Sequence, residues 1–201
     1  MNATGGRRRR VAVALVVILV LAGCGSGTGS TSTTETPSLV LPTADDVADS
    51  IVRIVGFGCG APALGAGFAV DSNLIVTSGH IVTGRDPDTL AVVTPKGVEA
   101  GARLVAFDPD YDLAVLRIDD ITFEPVTLRS DIPSDVGIGM AVRSENEVEP
   151  IDFTVDNTVI VNWDGVFRDT ESTFHGLRLL ADINKGDSGS GLFVSADDVI
   201  G

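Results

Sequence analysis

The chain has 201 residues, of which 44% are hydrophobic and only 5% aromatic, with 23 Gly and 9 Pro. This hydrophobic share is ordinary for a packed globular protein and excludes a disordered chain. The chain carries 14 Lys and Arg against 28 Asp and Glu, a formal net charge of −14. Such acidity predicts no nucleic-acid partner, because phosphates and carboxylates repel each other within a Debye length. Two cysteines are too few for a disulfide-rich scaffold or a cysteine-based zinc module.

Residues 1–23 have the organisation of a signal peptide. Four arginines, Arg7 to Arg10, precede an apolar run, Val11 to Ala22, that is too short to cross a bilayer comfortably as a mature helix. This run ends in Leu21-Ala22-Gly23-Cys24, which resembles the lipobox of bacterial lipoproteins. The resemblance implies cleavage before Cys24 and lipidation of Cys24. The alternative is an ordinary secretory signal peptide that contains a cysteine. Removing residues 1–23 from 201 leaves 178, and losing the four arginines changes the net charge from −14 to −18.

Residues 24–43 are expected to form a tether. They are rich in Gly, Ser and Thr and contain two prolines, a composition that cannot bury a core and is typical of a flexible spacer. Together with the lipobox, this spacer predicts an exported protein whose lipid anchor holds a folded domain at the outer face of the cytoplasmic membrane.

The remaining residues, 44–201, predict an all-β, antiparallel domain. A short helix is expected at its start, followed by many short segments rich in Val, Ile, Leu and Thr. Turn signals such as DSN, DPD and WDG separate these segments at close spacing, as in β sandwiches and barrels. The ten-residue helical patterns that a parallel α/β sheet requires are missing.

Three side chains supply the parts of a nucleophilic site. His80 follows an apolar strand, Asp112 stands at the entry to another, and Ser188 lies in the glycine-flanked segment GDSGSG. A serine hydroxyl is a weak nucleophile at neutral pH and needs a base, while a histidine base needs a carboxylate that fixes its tautomer. Asp110 could compete as the acid, but the apolar strand that follows Asp112 favours Asp112.

The motifs TSGH, DYDLAVL and GDSGSG, in this order, resemble those of chymotrypsin-like serine proteases, and their spacing resembles the bacterial HtrA/Deg branch. The resemblance implies two six-stranded antiparallel β-barrels, over about residues 51–122 and 123–201. Because relatives continue beyond the final Val-Ile-Gly, the second barrel is expected to be truncated. The resemblance also implies that His80 is the general base, Asp112 its orienting carboxylate and Ser188 the nucleophile. The backbone N–H groups of Gly186 and Ser188 would form the oxyanion hole.

Substrate preference is left open between two residues by the same resemblance. If Ile183 fills the S1 pocket, small aliphatic P1 residues are preferred; if Asp182 points into it, Arg or Lys is preferred. We favour Ile183, since Asp182 is equally well explained as a solvated carboxylate at a strand end. His175 is most simply a strand residue, with a place in the substrate pocket as the alternative. Cys59 has no evident partner within the chain.

Other hydrolase classes do not fit the sequence. An α/β-hydrolase needs G-x-S-x-G and a histidine that follows the serine, whereas here Ser190 breaks the pattern and His80 comes first. His80 and His175 are far apart and neither lies in a metal-binding motif, so no metal and no other cofactor is expected. The resemblance to chymotrypsin-like proteases therefore implies a serine endopeptidase acting on polypeptides, and it alone suggests a homotrimer. A non-catalytic peptide-binding or sensor module is the alternative.

Overall fold

The computed structural model describes residues 11–14, 41–130, 136–142, 147–169 and 171–200. Within these ranges most residues lie in β strands, and helix is limited to α1 (Ala44–Val47), α2 (Gly79–Val82) and a 3₁₀ helix, Pro87–Thr89. The strands form two curled sheets, which confirms the all-β prediction and matches a chymotrypsin-like double barrel. The short helix expected at the start of the folded region is α1.

The first sheet contains seven strands in the order β6-β5-β2-β3-β4-β8-β7, and all its neighbours are antiparallel. The strands are β2 (Ile51–Gly58), β3 (Ala61–Asp71), β4 (Leu74–Ser78), β5 (Ala91–Val93), β6 (Glu99–Gly101), β7 (Arg103–Asp108) and β8 (Leu113–Arg117). Only Ala102 separates β6 from β7, although these strands lie at opposite edges of the sheet. One chain segment therefore joins both edges and curls the sheet into a barrel. The six strands expected here become seven because this segment is interrupted at Ala102.

The second sheet has the order β1-β12-β11-β10-β13-β14-β9. Its strands are β1 (Val11–Ala14), β9 (Thr127–Leu128), β10 (Val136–Val142), β11 (Val148–Trp163), β12 (Ser172–Ala181), β13 (Gly191–Phe193) and β14 (Asp198–Val199). The seventh strand is β1, which comes from the segment predicted as the apolar core of the signal peptide and pairs with the edge of β12. The expectation of purely antiparallel pairing was wrong for β9 and β14. β9 lies at the edge of the sheet and pairs with β14 in parallel through Thr127 with Asp198 and Leu128 with Val199.

Apolar side chains from both sheets share one buried cluster. Val47, Ile51 and Phe68 from the first half of the fold pack with Met140 and Phe193 from the second sheet. A separate core of the first barrel includes the fully buried Val52, Ile54, Ile75 and Leu116. Because burial of apolar surface is the dominant favourable contribution to folding, the shared cluster fixes the two sheets against each other and defines the cleft between them.

The predicted lipidation site at Cys24 and most of the signal peptide and tether lie outside the described residues. Over the described ranges, no helix combines the length and apolar character needed to span a membrane.

Candidate active site

His80 is carried by the first turn after β4. The strand ends at Ser78, and Gly79 then begins α2, so that His80 emerges at the end of the sheet with its side chain 46% exposed. Gly79 lies close to its neighbours, since a Cβ there would lie 2.9 Å from Cε2 of Phe107 and 3.2 Å from the carbonyl carbon of Asp112. The packing of β7 against the turn therefore favours a small residue directly before the histidine.

Asp112 lies in the turn between β7 and β8. The Asp108 side chain accepts hydrogen bonds from the backbone N–H groups of Asp110 and Tyr111, at 3.0 and 3.2 Å, and shapes this turn. Asp112 itself has a φ of 55°, a left-handed conformation that is costly for a non-glycine residue and needs support from its surroundings. That support includes its carbonyl oxygen, which accepts the N–H of Gly79 at 2.7 Å.

The carboxylate of Asp112 contacts His80 through both of its oxygens. Oδ1 accepts the backbone N–H of His80 at 2.7 Å, and Oδ2 lies 2.7 Å from Nδ1 of the imidazole ring. The Asp112 side chain is only 18% exposed, so this contact is partly shielded from water. The pair fixes the ring with Nδ1 towards the carboxylate, which leaves Nε2 as the nitrogen available to another group. Asp110, the competing acid, lies in the turn, where its N–H donates to Asp108.

Ser188 lies exposed in a loop between β12 and β13 that is stabilised by its own hydrogen bonds. The side chain of Asp187, which is 6% exposed, accepts the N–H of Asn184 at 2.7 Å. The carbonyl oxygen of Asp187 in turn accepts the N–H and the hydroxyl of Ser190, at 3.0 and 2.6 Å. Ser190 therefore closes the turn on the side that follows Ser188.

The Ser188 loop docks on the first sheet beside the end of β4. The N–H of Ala66 donates to the carbonyl oxygen of Ser188 at 2.7 Å. Gly189, with a φ of 87°, sits so close that a Cβ would lie 2.2 Å from the carbonyl oxygen of Ala66 and 3.1 Å from the nitrogen of Ser78. Since Ser78 precedes His80 by two residues, this contact brings the Ser188 loop to the part of the cleft that holds the His80–Asp112 pair.

Two backbone N–H groups of the loop are candidates for binding an oxyanion. In the described part of the chain, no hydrogen-bond acceptor is found for the N–H of Gly186 or of Ser188. Gly186 has a φ of 103°, and the position of a Cβ on it has no atom within 4 Å. Left-handed backbone and open space are the conditions under which a glycine can aim its N–H at a bound group.

The two predicted specificity residues follow β12 directly and are both exposed. Ile183 has 39% of its surface accessible, and Asp182 is exposed beside it. His175 lies in β12, exposed and paired in register with Ile160 of β11. Cys59 is a free, exposed cysteine in the two-residue turn between β2 and β3. Across the described ranges, no group of three or more His, Cys, Asp or Glu side chains is arranged to hold a metal ion.

Several contacts that hold the site together are not predictable from the sequence. The apolar and β-branched segments that contain Thr77 and Phe107 are typical of strands but give no signal for their contacts near His80 and Ser188, and no motif singles out Ala66. The only sequence signal for Thr77 is a polar residue at the end of an apolar strand, one residue before Ser78-Gly79-His80. Such a signal carries no information about a partner that lies elsewhere in the chain.

Two curled β sheets that meet at a cleft, with a His–Asp pair on one side and a serine loop on the other, define the class of chymotrypsin-like double-barrel proteins. The structure of the Rv3671c protease from M. tuberculosis in its active form is similar, with a TM-score of 0.69 over 88% of this chain and 82% of that one, at 19% identity. This likeness concerns the fold.

A family model described as "Trypsin-like peptidase domain" matches residues 65–201, and the chain belongs to this family. Among curated relatives, a "Probable periplasmic serine endoprotease DegP-like" of Brucella suis is 30% identical over 142 residues, 69% of this chain and 27% of the relative. The chloroplastic "Protease Do-like 1" of Arabidopsis thaliana is 31% identical over 144 residues, 68% of this chain and 32% of the relative. The chain thus spans about a third or less of the length of these relatives.

Proposed function

We propose that this chain is a serine endopeptidase of the HtrA/Deg type in which Ser188 is the nucleophile, His80 the general base and Asp112 the residue that orients His80. The observation that carries the proposal is the double contact of the Asp112 carboxylate with the backbone N–H and ring Nδ1 of His80, each at 2.7 Å. A carboxylate on Nδ1 selects the tautomer whose Nε2 can accept a proton. The docking of the Ser188 loop beside Ser78 supports Ser188 as the group that supplies this proton.

The proposed reaction has two balanced halves. The Ser188 hydroxyl loses its proton to Nε2 of His80 while Oγ forms a bond to the scissile carbonyl carbon. His80 then donates this proton to the leaving amine, the C–N bond breaks, and an acyl-enzyme remains on Ser188. His80 then takes a proton from water while the water oxygen bonds to the ester carbon, and it donates this proton to Ser188 Oγ as the C–Oγ bond breaks and the carboxylic acid leaves. The imidazolium is stabilised at both steps by the adjacent Asp112 carboxylate.

The N–H groups of Gly186 and Ser188 are proposed to bind the negative oxygen of the tetrahedral intermediates. Donors that point at the place where charge develops stabilise the transition state, at about 2.7–4 kcal/mol for one such donor in a studied protease. Their lack of acceptors among the described residues and the open space at Gly186 support this assignment. The scheme uses no metal or organic cofactor.

Ile183 is proposed as the residue that sets the P1 preference, with small aliphatic side chains favoured. Its 39% exposure directly before the Ser188 loop leaves apolar surface for a substrate side chain to cover. Asp182 is the competing residue and would favour Arg or Lys. Cleavage of a peptide library distinguishes them, because a strong preference for P1 Arg that is lost in Asp182→Asn would assign the pocket to Asp182.

Export and lipidation at Cys24 are proposed from the sequence of residues 1–24, and the DegP-like relatives named as periplasmic support an envelope location. The substrates would then be polypeptides of the envelope or secreted proteins, and a homotrimer is proposed by resemblance alone. Mass spectrometry of the protein from a bacterial host tests the anchor. A lipid-modified N-terminal Cys24 is expected, and an unmodified terminus in the exported protein would contradict it.

Labelling of the full chain with a fluorophosphonate tests the proposed activity. Attack by a serine on phosphorus with loss of fluoride requires the same activated hydroxyl as peptide hydrolysis. We expect labelling of the wild-type chain and its loss in Ser188→Ala and His80→Ala, by a factor on the order of 10⁴ or more in rate. A folded wild-type chain without labelling would instead favour a peptide-binding module, and labelling that survives Ser188→Ala would show that another residue is the nucleophile.

A further inference from the structure

Thr77 is a buried polar residue that the reaction scheme does not use. It lies in β4 with 1% of its surface exposed, and its hydroxyl donates to the carbonyl oxygen of Ala66 at 2.6 Å. The antiparallel pairing of β3 with β4 ends at Phe68 and Val76. The Thr77 hydroxyl therefore ties the two strands together beyond the end of their backbone pairing, where a valine would satisfy the strand preference equally well.

The backbone of Ala66 also contacts the loop that carries Ser188. The N–H of Ala66 donates to the carbonyl oxygen of Ser188 at 2.7 Å. Ala66 is 1% exposed and packs with Ala141 and Ile151 of the second sheet, so it cannot move freely. A continuous path of two short hydrogen bonds thus runs from Thr77 through Ala66 to Ser188.

Gly189 shows how tightly this path is packed. A Cβ on Gly189 would lie 2.2 Å from the carbonyl oxygen of Ala66 and 2.5 Å from Oγ1 of Thr77. The backbone that follows Ser188 therefore rests directly on the hydrogen bond between Thr77 and Ala66. Any change in the length of that bond changes the space available to the Ser188 loop.

From this arrangement we infer that Thr77 is a positioning residue that sets the distance between Ser188 and His80. Thr77 precedes His80 by three residues in the continuous segment formed by β4 and α2, and it reaches Ser188 through Ala66. It thereby connects the two halves of the site across the cleft without touching substrate. The inference rests on the proposed function, because it assigns to Thr77 the alignment of the proposed nucleophile and base.

Substitution by valine should disturb this alignment. Thr77→Val places a methyl group where the hydroxyl lies 2.6 Å from a carbonyl oxygen, well inside the ordinary contact distance of carbon with other heavy atoms, about 3.5–4.0 Å between carbons. Ala66 or the Ser188 loop must then shift by a fraction of an ångström or more. Misplacement of reacting groups by about 1 Å can lower the rate by about a hundredfold. Thr77→Ser retains the hydroxyl and should retain the alignment.

The experiment compares full-length chains carrying Thr77→Val, Thr77→Ser and Thr89→Val. Thr89 is the matched control, because its hydroxyl also donates to a backbone carbonyl, that of Phe57 at 3.0 Å, but on the exposed side of the first barrel. The rate of fluorophosphonate labelling and the separate kcat and KM for a peptide substrate are measured. We expect Thr77→Val to lower the labelling rate and kcat by about tenfold to a hundredfold with little change in KM. Thr77→Ser and Thr89→Val should remain close to wild type.

The outcomes separate this inference from the proposed function. A wild-type chain that is not labelled overturns both. A labelled wild-type chain with a folded Thr77→Val variant of equal labelling rate overturns the role of Thr77 alone, as does a Thr77→Ser variant as slow as Thr77→Val. If Thr77→Val does not fold, Thr77→Ala removes the hydroxyl without adding volume, and a folded Thr77→Ala variant that reacts at the wild-type rate also overturns it.

Discussion

The two halves of the candidate site are held in different ways. His80 and Asp112 both lie in connections between strands of the first barrel, and three hydrogen bonds of 2.7 Å join the segment Gly79–His80 to Asp112. Ser188 lies in a loop of the second half of the fold, whose turns are closed by Asp187 and whose position depends on Ala66 of the first sheet. The geometry of the His–Asp pair is therefore a local property of one barrel. The placement of Ser188 against it depends on the contact between the two barrels.

The largest effect is expected from a substitution in the His80–Asp112 pair, which is held within one barrel. Asp112→Asn can still accept the N–H of His80 through one oxygen, but its amide donates to ring Nδ1 and stabilises the wrong tautomer. Replacing the orienting aspartate of a Ser-His-Asp triad by asparagine lowers kcat by about 10⁴-fold, and we expect a loss of about 10³- to 10⁴-fold here. The kcat for a peptide substrate and the circular dichroism spectrum provide the test. A loss of less than tenfold in a folded variant would show that Asp112 does not orient the base.

A smaller but still large effect is expected from a substitution at the contact between the barrels. In Gly189→Ala the new methyl group would lie 2.2 Å from the carbonyl oxygen of Ala66, and alanine is strained at a φ of 87°. We expect the labelling rate to fall by about a hundredfold, from displacement of the nucleophile. The free energy of unfolding in urea should fall by about 1–3 kcal/mol from the strained backbone.

Gly101→Ala is the matched control for this prediction. Gly101 lies in β6, and a Cβ on it would have no atom within 4 Å, so alanine should leave both the labelling rate and stability nearly unchanged. Equal labelling rates for Gly189→Ala and Gly101→Ala would show that the placement of Ser188 does not depend on the contact between the two barrels.

The smallest effect is expected from a substitution in an exposed ion pair that lies away from both the His80–Asp112 pair and the Ser188 loop. Lys96 and Asp49 form an ion pair whose side chains are 67% and 59% exposed. Exposed pairs contribute about 0–1 kcal/mol, so Lys96→Ala should change the free energy of unfolding by no more than that. Urea denaturation at low and high salt provides the measurement, and catalysis should be unaffected. A loss of activity would show that the geometry of the site depends on this exposed ion pair, although no described contact joins them.

The sequence predicted the parts of the molecule that depend on local pattern. The β-branched segments became strands, and the strand that precedes His80 and the turn that holds Asp112 follow from short motifs. Long-range pairing could not be predicted in this way. The continuous segment of β6 and β7 joins opposite edges of one sheet. The parallel pairing of β9 with β14 brings together residues about 70 positions apart. The bond from Thr77 to Ala66 likewise depends on where a strand pair ends, which no single segment specifies.

Trapping the acyl-enzyme tests the central claim most directly. The full chain is mixed with an activated ester substrate, quenched during the first turnover, digested and analysed by mass spectrometry. The account predicts an acyl group on the peptide that contains Ser188, and no such adduct in His80→Ala within the same time. Turnover of the ester by the wild-type chain with an acyl group on another residue, or with no acyl group on the protein, would contradict it.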